Sequence, residues 1–209
     1  MAALVFIICV FSFMARFLVT GGAGYVGSHI VLALLDDGHE VVVLDNLRTG
    51  HRAAVPAQAT FIQADLADLE SLNAILANGP WDGVYHFAAL SLVGESMQNP
   101  MLYMAANAGI GFGLIDACIK HGIKRFVFSS TAALFGTAGS APIDEDTPIN
   151  PASPYGESKY MVERALYWAD RIHGLKSACL RYFNAAGSVP QGRAGEDHQP
   201  ETHLIPLVI

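Results

Sequence analysis

Charge is scarce in this sequence: 15% of its 209 residues are charged, against 52% that are hydrophobic. Disordered chains show the opposite balance, so this one folds around a sizeable core. Positive charge is the scarcer sign, with 12 Lys and Arg against 19 Asp and Glu, a formal net charge of −7 and no basic run. Nucleic-acid binding relies on Lys and Arg to neutralise phosphates, and the composition argues against that partner. Cysteine is sparse and odd in number, at positions 9, 118 and 179. Such spacing makes neither a disulfide framework nor a metal site, and a cytoplasmic setting is expected. Twenty Gly and ten Pro occur without a triplet period, which excludes collagen-like and low-complexity classes. Long apolar runs are also missing. The longest, MAALVFIICVFSFM, is interrupted at Arg16, short of the roughly 18 residues a membrane span needs. It lacks the basic start and cleavage site of a signal peptide. Residues 1–13 therefore read as an extension outside the fold, with Met14 as the start, and no membrane association is expected.

What the chain does contain is an alternation. Short β-branched or aromatic runs at 17–20, 40–44, 60–63, 83–87, 125–129 and 177–181 predict strands. Helical periodicity predicts helices over 28–37, 68–77, 101–120 and 158–173, with glycines at 38, 122 and 174 as stops. Uniformly apolar strands alternating with helices imply an α/β fold: a doubly wound parallel sheet covered on both faces. The regular pattern stops after Asn184. The closing LIPLVI reads as an interruption rather than an end.

The first strand runs into Thr20-Gly-Gly-Ala-Gly-Tyr-Val-Gly27, in which glycines at 22, 24 and 27 make GxGxxG and those at 21, 24 and 27 make GxxGxxG. Glycine permits the tight turn, the approach of backbone to a pyrophosphate and close helix–strand packing. The helix N-terminus that follows offers N–H groups to the anion. Asp45 ends the second strand, where a carboxylate accepts ribose hydroxyls and repels a 2′-phosphate, favouring NAD. A Rossmann-type nucleotide-binding domain is expected over 14–183, with an incomplete substrate-binding region over 184–209.

A second constellation is Tyr155-Gly-Glu-Ser-Lys159, which puts Tyr155 and Lys159 on one helix face. An ammonium beside a tyrosine stabilises the phenolate, which can then take a proton from an alcohol as hydride leaves the same carbon. Ser129-Ser130-Thr131, at the end of the fifth strand, supplies hydroxyls nearby. Cys118 and Cys179 suit core packing, and His86 at a strand end suits a packed histidine. The group Glu196, Asp197, His198, Glu201 and His203 matches no metal spacing, and no metal is expected.

These residues, with HFAALSLVGES at 86–96, PYGESK at 154–159, RYFNAAG at 181–187 and GEDHQPETHLIP at 195–206, resemble the extended short-chain dehydrogenase/reductases. Within them the chain is similar to the UDP-glucose 4-epimerase family. The resemblance implies tightly held NAD, a UDP-sugar substrate, a 4-keto intermediate and a homodimer built on the helices near Met101 and after Tyr155. It implies Tyr155 as base, Lys159 as its orienting partner and nicotinamide-ribose ligand, and Thr131 bonded to the reacting hydroxyl. Gly21, Gly24, Tyr25, Val26, Gly27, Asp45, Asn46, Asp65, Leu66, Phe87, Ala88, Ala89, Asn107 and Phe183 fall at cofactor positions, and Asn184, His203 and Leu204 at sugar-nucleotide positions. The chain departs from the pattern at Ser91, where many relatives carry lysine, and at Thr131, where serine is common. Ala132-Ala133 replaces the Asp-Glu usual in dehydratases. Family chains continue beyond residue 209, which leaves open another nucleotide-sugar enzyme, such as a pentose 4-epimerase or dehydratase, or an inactive NAD-binding fragment.

Overall fold

The computed structural model describes residues 14–136, 142–144, 146–198 and 207–208. The apolar extension at 1–13 and the expected contact positions His203 and Leu204 lie outside them. Among the described residues, the strands β1 (Arg16–Thr20), β2 (Glu40–Asp45), β3 (Thr60–Gln63), β4 (Gly83–His86), β5 (Arg125–Ser129) and β6 (Lys176–Leu180) form one sheet. Every pairing is parallel, in the order β3-β2-β1-β4-β5-β6. The central strands β1, β2 and β4 bury both faces because successive residues split between two cores, whereas the edge strand β6 is mostly exposed. Leu18, Val42 and Leu44 belong to one cluster, and their neighbours Val19, Val41 and Val43 to the other. Such two-sided burial is why these runs read as continuously apolar.

Helix α1 (Tyr25–Asp36) covers one face through Val31 and Leu34. On the other face lie α2 (Leu69–Ala77), α3 (Val93–Gln98), α4 (Pro100–Tyr103), α5 (Ile110–Lys120) and α6 (Pro154–His173), of which α2, α5 and α6 place Leu72, Leu114 and Val162 in the core. Pro100–Lys120 is long and apolar enough to cross a bilayer, yet it packs against α2 and α6 and buries Leu114, Ile115 and Cys118. It is not one regular helix. Met104–Gly109 is π-helical, so the predicted helix over 101–120 is interrupted by a wider, underwound turn between α4 and α5. Helix α6 starts at Pro154, four residues before the predicted boundary. Ser153 Oγ accepts a hydrogen bond from Gly156 N at 3.1 Å, and Pro154 occupies the first turn, where its missing N–H costs nothing. The left-handed Gly174 (φ 69°) closes the helix.

Beyond β6 the chain folds back over α1. Arg193 donates to both oxygens of Asp36, at 3.0 and 2.8 Å, and Tyr25 Oη donates to Gly187 O at 2.7 Å. This returning segment brings residues 196–198 beside the glycine loop.

Candidate active site

Strands β1 and β4 are neighbours whose following helices leave on opposite sides of the sheet, and a crevice opens beyond their carboxyl ends. It is a cleft of about 590 Å³ running from the loop after β3 to the start of α6. One end is made of backbone. Gly21 adopts φ 73°, donates to Leu44 O at 2.9 Å and lies so close to the chain after β4 that a Cβ would sit 2.4 Å from Ala88 N. A Cβ at Gly27 would sit 2.1 Å from Gly21 O, so only glycine lets α1 start this near the loop. No side chain caps α1, and its first turn carries no acidic residue, which leaves its N-terminus for an anion.

Asp45 stands beside that cradle, buried, with Oδ2 accepting from Ala23 N at 3.0 Å and Oδ1 from Leu47 N at 2.8 Å. Held this way, each carboxylate oxygen keeps lone pairs for further donors such as ribose hydroxyls. Asp65 accepts from Asn46 Nδ2 at 3.0 Å and Ala67 N at 2.9 Å, and these bonds hold its carboxyl below the usual range. The glycine cradle, open helix end and fixed carboxylate fit a dinucleotide.

The other end carries Tyr155 and, behind it, Lys159. The half-buried Tyr155 and the buried Lys159 project from α6 one turn apart, Lys159 with an ammonium 5.9 Å from the Tyr155 ring centroid and 5.0 Å from that of Phe128. Lys159 Nζ donates to Ser129 O at 2.9 Å, and burial pulls its pKa down to about 7. Burial pushes the Tyr155 hydroxyl up, a hydrogen bond with Thr131 opposes that rise, and Tyr182 adds to it. Tyr103 meets Tyr155 edge-on at 6.4 Å, while its own hydroxyl donates to Glu95 Oε2 at 2.7 Å and accepts from Leu92 N at 3.1 Å. His86 is packed behind the site. It shares a 2.7 Å hydrogen bond with Thr20 Oγ1, stacks on Phe128, and is held down to about 3 by burial and then by Lys159.

Gly21, Gly24, Tyr25, Val26, Gly27, Asp45, Asn46, Asp65, Leu66, Phe87, Ala88, Ala89, Thr131, Tyr155, Phe183 and Asn184 all line this one cleft. Lys159 lies behind its wall, in contact through the Tyr155 ring. Asn107 does not line it. Its amide donates to Leu90 O and Ser158 Oγ and accepts from Leu90 N, so it braces the loop after β4 from behind. The structure adds Arg48, Thr49, Tyr182, Glu196 and His198 to the lining. Arg48 and Thr49 lie two and three residues after Asn46, and Tyr182 precedes Phe183, so nearness in sequence could have flagged them. Glu196 and His198 arrive from far along the chain, from the 195–206 segment that carries the resemblance and that reads as a solvated or substrate-facing loop.

Residues 17–209 match the model of the NAD dependent epimerase/dehydratase family. The chain is 50% identical over 191 residues to the UDP-glucose 4-epimerase of Lacticaseibacillus casei and 51% identical over 194 residues to that of Streptococcus mutans. These matches take in 91% and 92% of the chain but 58% of each relative, so the chain spans less than two thirds of their length. A crystal structure of UDP-glucose 4-epimerase superposes with a TM-score of 0.90 at 44% identity, covering 92% of this chain and 59% of that one. The Brucella ovis enzyme in complex with NAD does so with 0.89 at 40% identity, with the same coverage. By sequence and by fold, the chain belongs to the NAD-dependent epimerase/dehydratase family.

Proposed function

We propose that this chain forms the NAD-binding and proton-transfer part of a UDP-glucose 4-epimerase, interconverting UDP-galactose and UDP-glucose. One observation carries the reading: Tyr155, Lys159 and Thr131 converge at one end of a cleft whose other end holds the glycine cradle and Asp45. The relatives of known name and the NAD complex of the Brucella ovis enzyme support it. When bound, NAD supplies a reversible hydride acceptor, which makes a 4-keto sugar accessible.

The protein's own work is positioning and proton handling. Gly21, Gly24 and Gly27 admit a pyrophosphate to the start of α1, and Asp45, Asn46 and Asp65 hold the adenosine end. Tyr155 takes the proton of the sugar C4 hydroxyl and returns it to the same oxygen after the ketone has turned. Lys159, one turn below in low dielectric, stabilises the phenolate and binds the nearby ribose. Thr131 bonds the reacting hydroxyl, and Asn184 contacts the sugar nucleotide from the rim. Beyond residue 198, His203 and Leu204 are assigned to the same ligand. A reducing, cytoplasmic setting suits a chain whose described cysteines are free.

The test is an epimerase assay on the purified chain, with its absorbance scanned for bound nicotinamide. Conversion of UDP-galactose to UDP-glucose, lost by about a thousandfold or more in Tyr155→Phe, is the expected result. Absence of both nicotinamide and turnover in the folded chain refutes it.

A further inference from the structure

One buried charged group near the site is not used by this mechanism. Glu163 lies on α6 one turn beyond Lys159, on the face that carries Tyr155 and Lys159, with its side chain 8% exposed. Three donors grip its carboxylate. Ser130 Oγ donates to Oε1 at 2.5 Å, and Arg181 donates through Nε to Oε1 at 3.0 Å and through Nη2 to Oε2 at 2.6 Å. The first is a charge-assisted O–H bond, and the other two form a planar fork that fixes direction as well as distance.

The donors' positions in the chain give the cluster its meaning. Ser130 sits between Ser129 and Thr131, both of which line the cleft, and it turns the opposite way to reach Glu163. Arg181 sits next to Tyr182, which also lines the cleft, hydrogen-bonds Ser129 Oγ through its hydroxyl, and accepts from Ala132 N through its carbonyl at 3.0 Å. A single carboxylate therefore ties together the ends of β5 and β6 and the middle of α6. On the same segments, the Ser129 carbonyl takes the Lys159 ammonium behind the cleft wall and the Thr131 hydroxyl meets Tyr155.

We propose that Glu163 is a positioning residue: clamped by Ser130 and Arg181, it sets the end of β5 against α6 and so aligns Thr131 and Ser129 O with Tyr155 and Lys159. The inference rests on Tyr155 and Lys159 being the proton-transfer pair. The pair is buried at Glu163 and 31% exposed at Arg181; desolvation of the carboxylate and solvent screening of the guanidinium both offset its attraction, so its conformational role accounts for its presence better than its energy. The carboxylate acts through geometry, since the Arg181 guanidinium cancels its field.

The sign of one measurement separates geometry from field. The Tyr155 phenolate is followed by near-ultraviolet absorbance as the difference between each protein and its Tyr155→Phe counterpart. The groups facing that phenol are Lys159 on α6, Thr131 after β5, Tyr182 after β6 and Tyr103 on α4 with Glu95 behind it; His86 on β4 faces Lys159. Glu163→Gln removes a negative charge, so a field effect would lower the titration midpoint, whereas misalignment loosens the Thr131 hydrogen bond that holds it down and so raises it. Ser130→Ala keeps the ion pair and releases only the β5 end, and it decides the matter if Glu163→Gln does not fold. The expected result is an upward shift of about one unit in both variants, with NAD binding by fluorescence unchanged. In the epimerase assay, kcat for UDP-galactose falls about tenfold while KM holds. An unchanged or lowered midpoint in folded Ser130→Ala overturns the inference. If the unaltered chain shows no epimerisation but the midpoint still rises, the proposed activity fails and the positioning role of Glu163 stands.

Discussion

Lys159 shows what burial does to a residue chosen for its charge. Its ammonium has the Ser129 carbonyl and two aromatic rings for company, and among the described residues no carboxylate pairs with it. Desolvation brings its pKa from 10.5 to about 7. The linkage has a definite sign. Between those two values the unfolded chain holds a proton that the folded protein does not, so folding becomes more favourable as pH rises. The slope approaches about 1.4 kcal/mol per pH unit for one group. Two thiols act oppositely at higher pH: burial pushes Cys118 and Cys179 up to about 12, so folded protein keeps protons that the unfolded chain loses above about pH 9. The comparison is therefore with Lys159→Met, in which the thiol contribution is the same. Urea unfolding at pH 7, 8 and 9 should show the unaltered protein gaining stability relative to the variant at each step. A constant difference would mean that Lys159 is not desolvated.

At the scale of elements, the start of α6 carries the site, because Tyr155 is its second residue. Gly156 follows, and a Cβ there would lie 2.6 Å from the Ala133 carbonyl oxygen, in the turn after Thr131. Helix propensity alone favours alanine over glycine by about 1 kcal/mol. A backbone clash of this depth outweighs it, since overpacking costs about 1–3 kcal/mol. Gly156→Ala should therefore destabilise the protein by about 1 kcal/mol net and lower kcat far more than that loss explains, because Tyr155 must withdraw from Thr131. Ser153→Ala is the matched control. It loses the cap to Gly156 N, costs about 1 kcal/mol, and should leave the turnover of the folded fraction nearly unchanged. Thermal melts and the epimerase assay on both variants separate the two. This helix start also marks how far the sequence could be read. The pair Tyr155 and Lys159 was visible by spacing, and Ser153-Pro154 is a legible cap, but the apolar period alone begins later and placed the helix at 158. The central β-strands are legible almost to the residue because burial on both faces leaves unbroken apolar runs. Helix α3 is not legible in the sequence, as its VGESMQ is short, contains glycine and has no apolar stripe. Asn107 was expected against the cofactor, and the π-helical turn that carries it has no period by which its direction could be foreseen.

For the whole molecule, the exposed apolar surface is concentrated on helices that the core does not fully use. Met161, Trp168 and Ile172 of α6 are 39%, 53% and 68% exposed, and their spacing places them on one face. On the neighbouring segment Met101 is 70% exposed and Phe112 of α5 is 40% exposed. Helices α5 and α6 pack against each other, so both stripes belong to one side of the sheet. Scattered exposed apolar residues are ordinary, but exposed apolar stripes on two packed helices would suit an association surface. A two-fold axis through it would bring two helices from each copy together as a four-helix bundle, closed and self-complementary. We propose a homodimer on this face. Trp168 is the residue to change, because Trp anchors dominate interfaces when buried, and truncating or charging one costs about 2 kcal/mol or more of association. Trp168 makes its ring contact with the adjacent Tyr167, and the side chain is half in solvent, so Trp168→Glu should leave the fold and melting behaviour of the monomer intact. Light scattering during size exclusion should give a dimer mass for the unaltered chain and a monomer mass for Trp168→Glu. A dimer that survives this change, and Ile172→Glu as well, would place the contact elsewhere on the molecule.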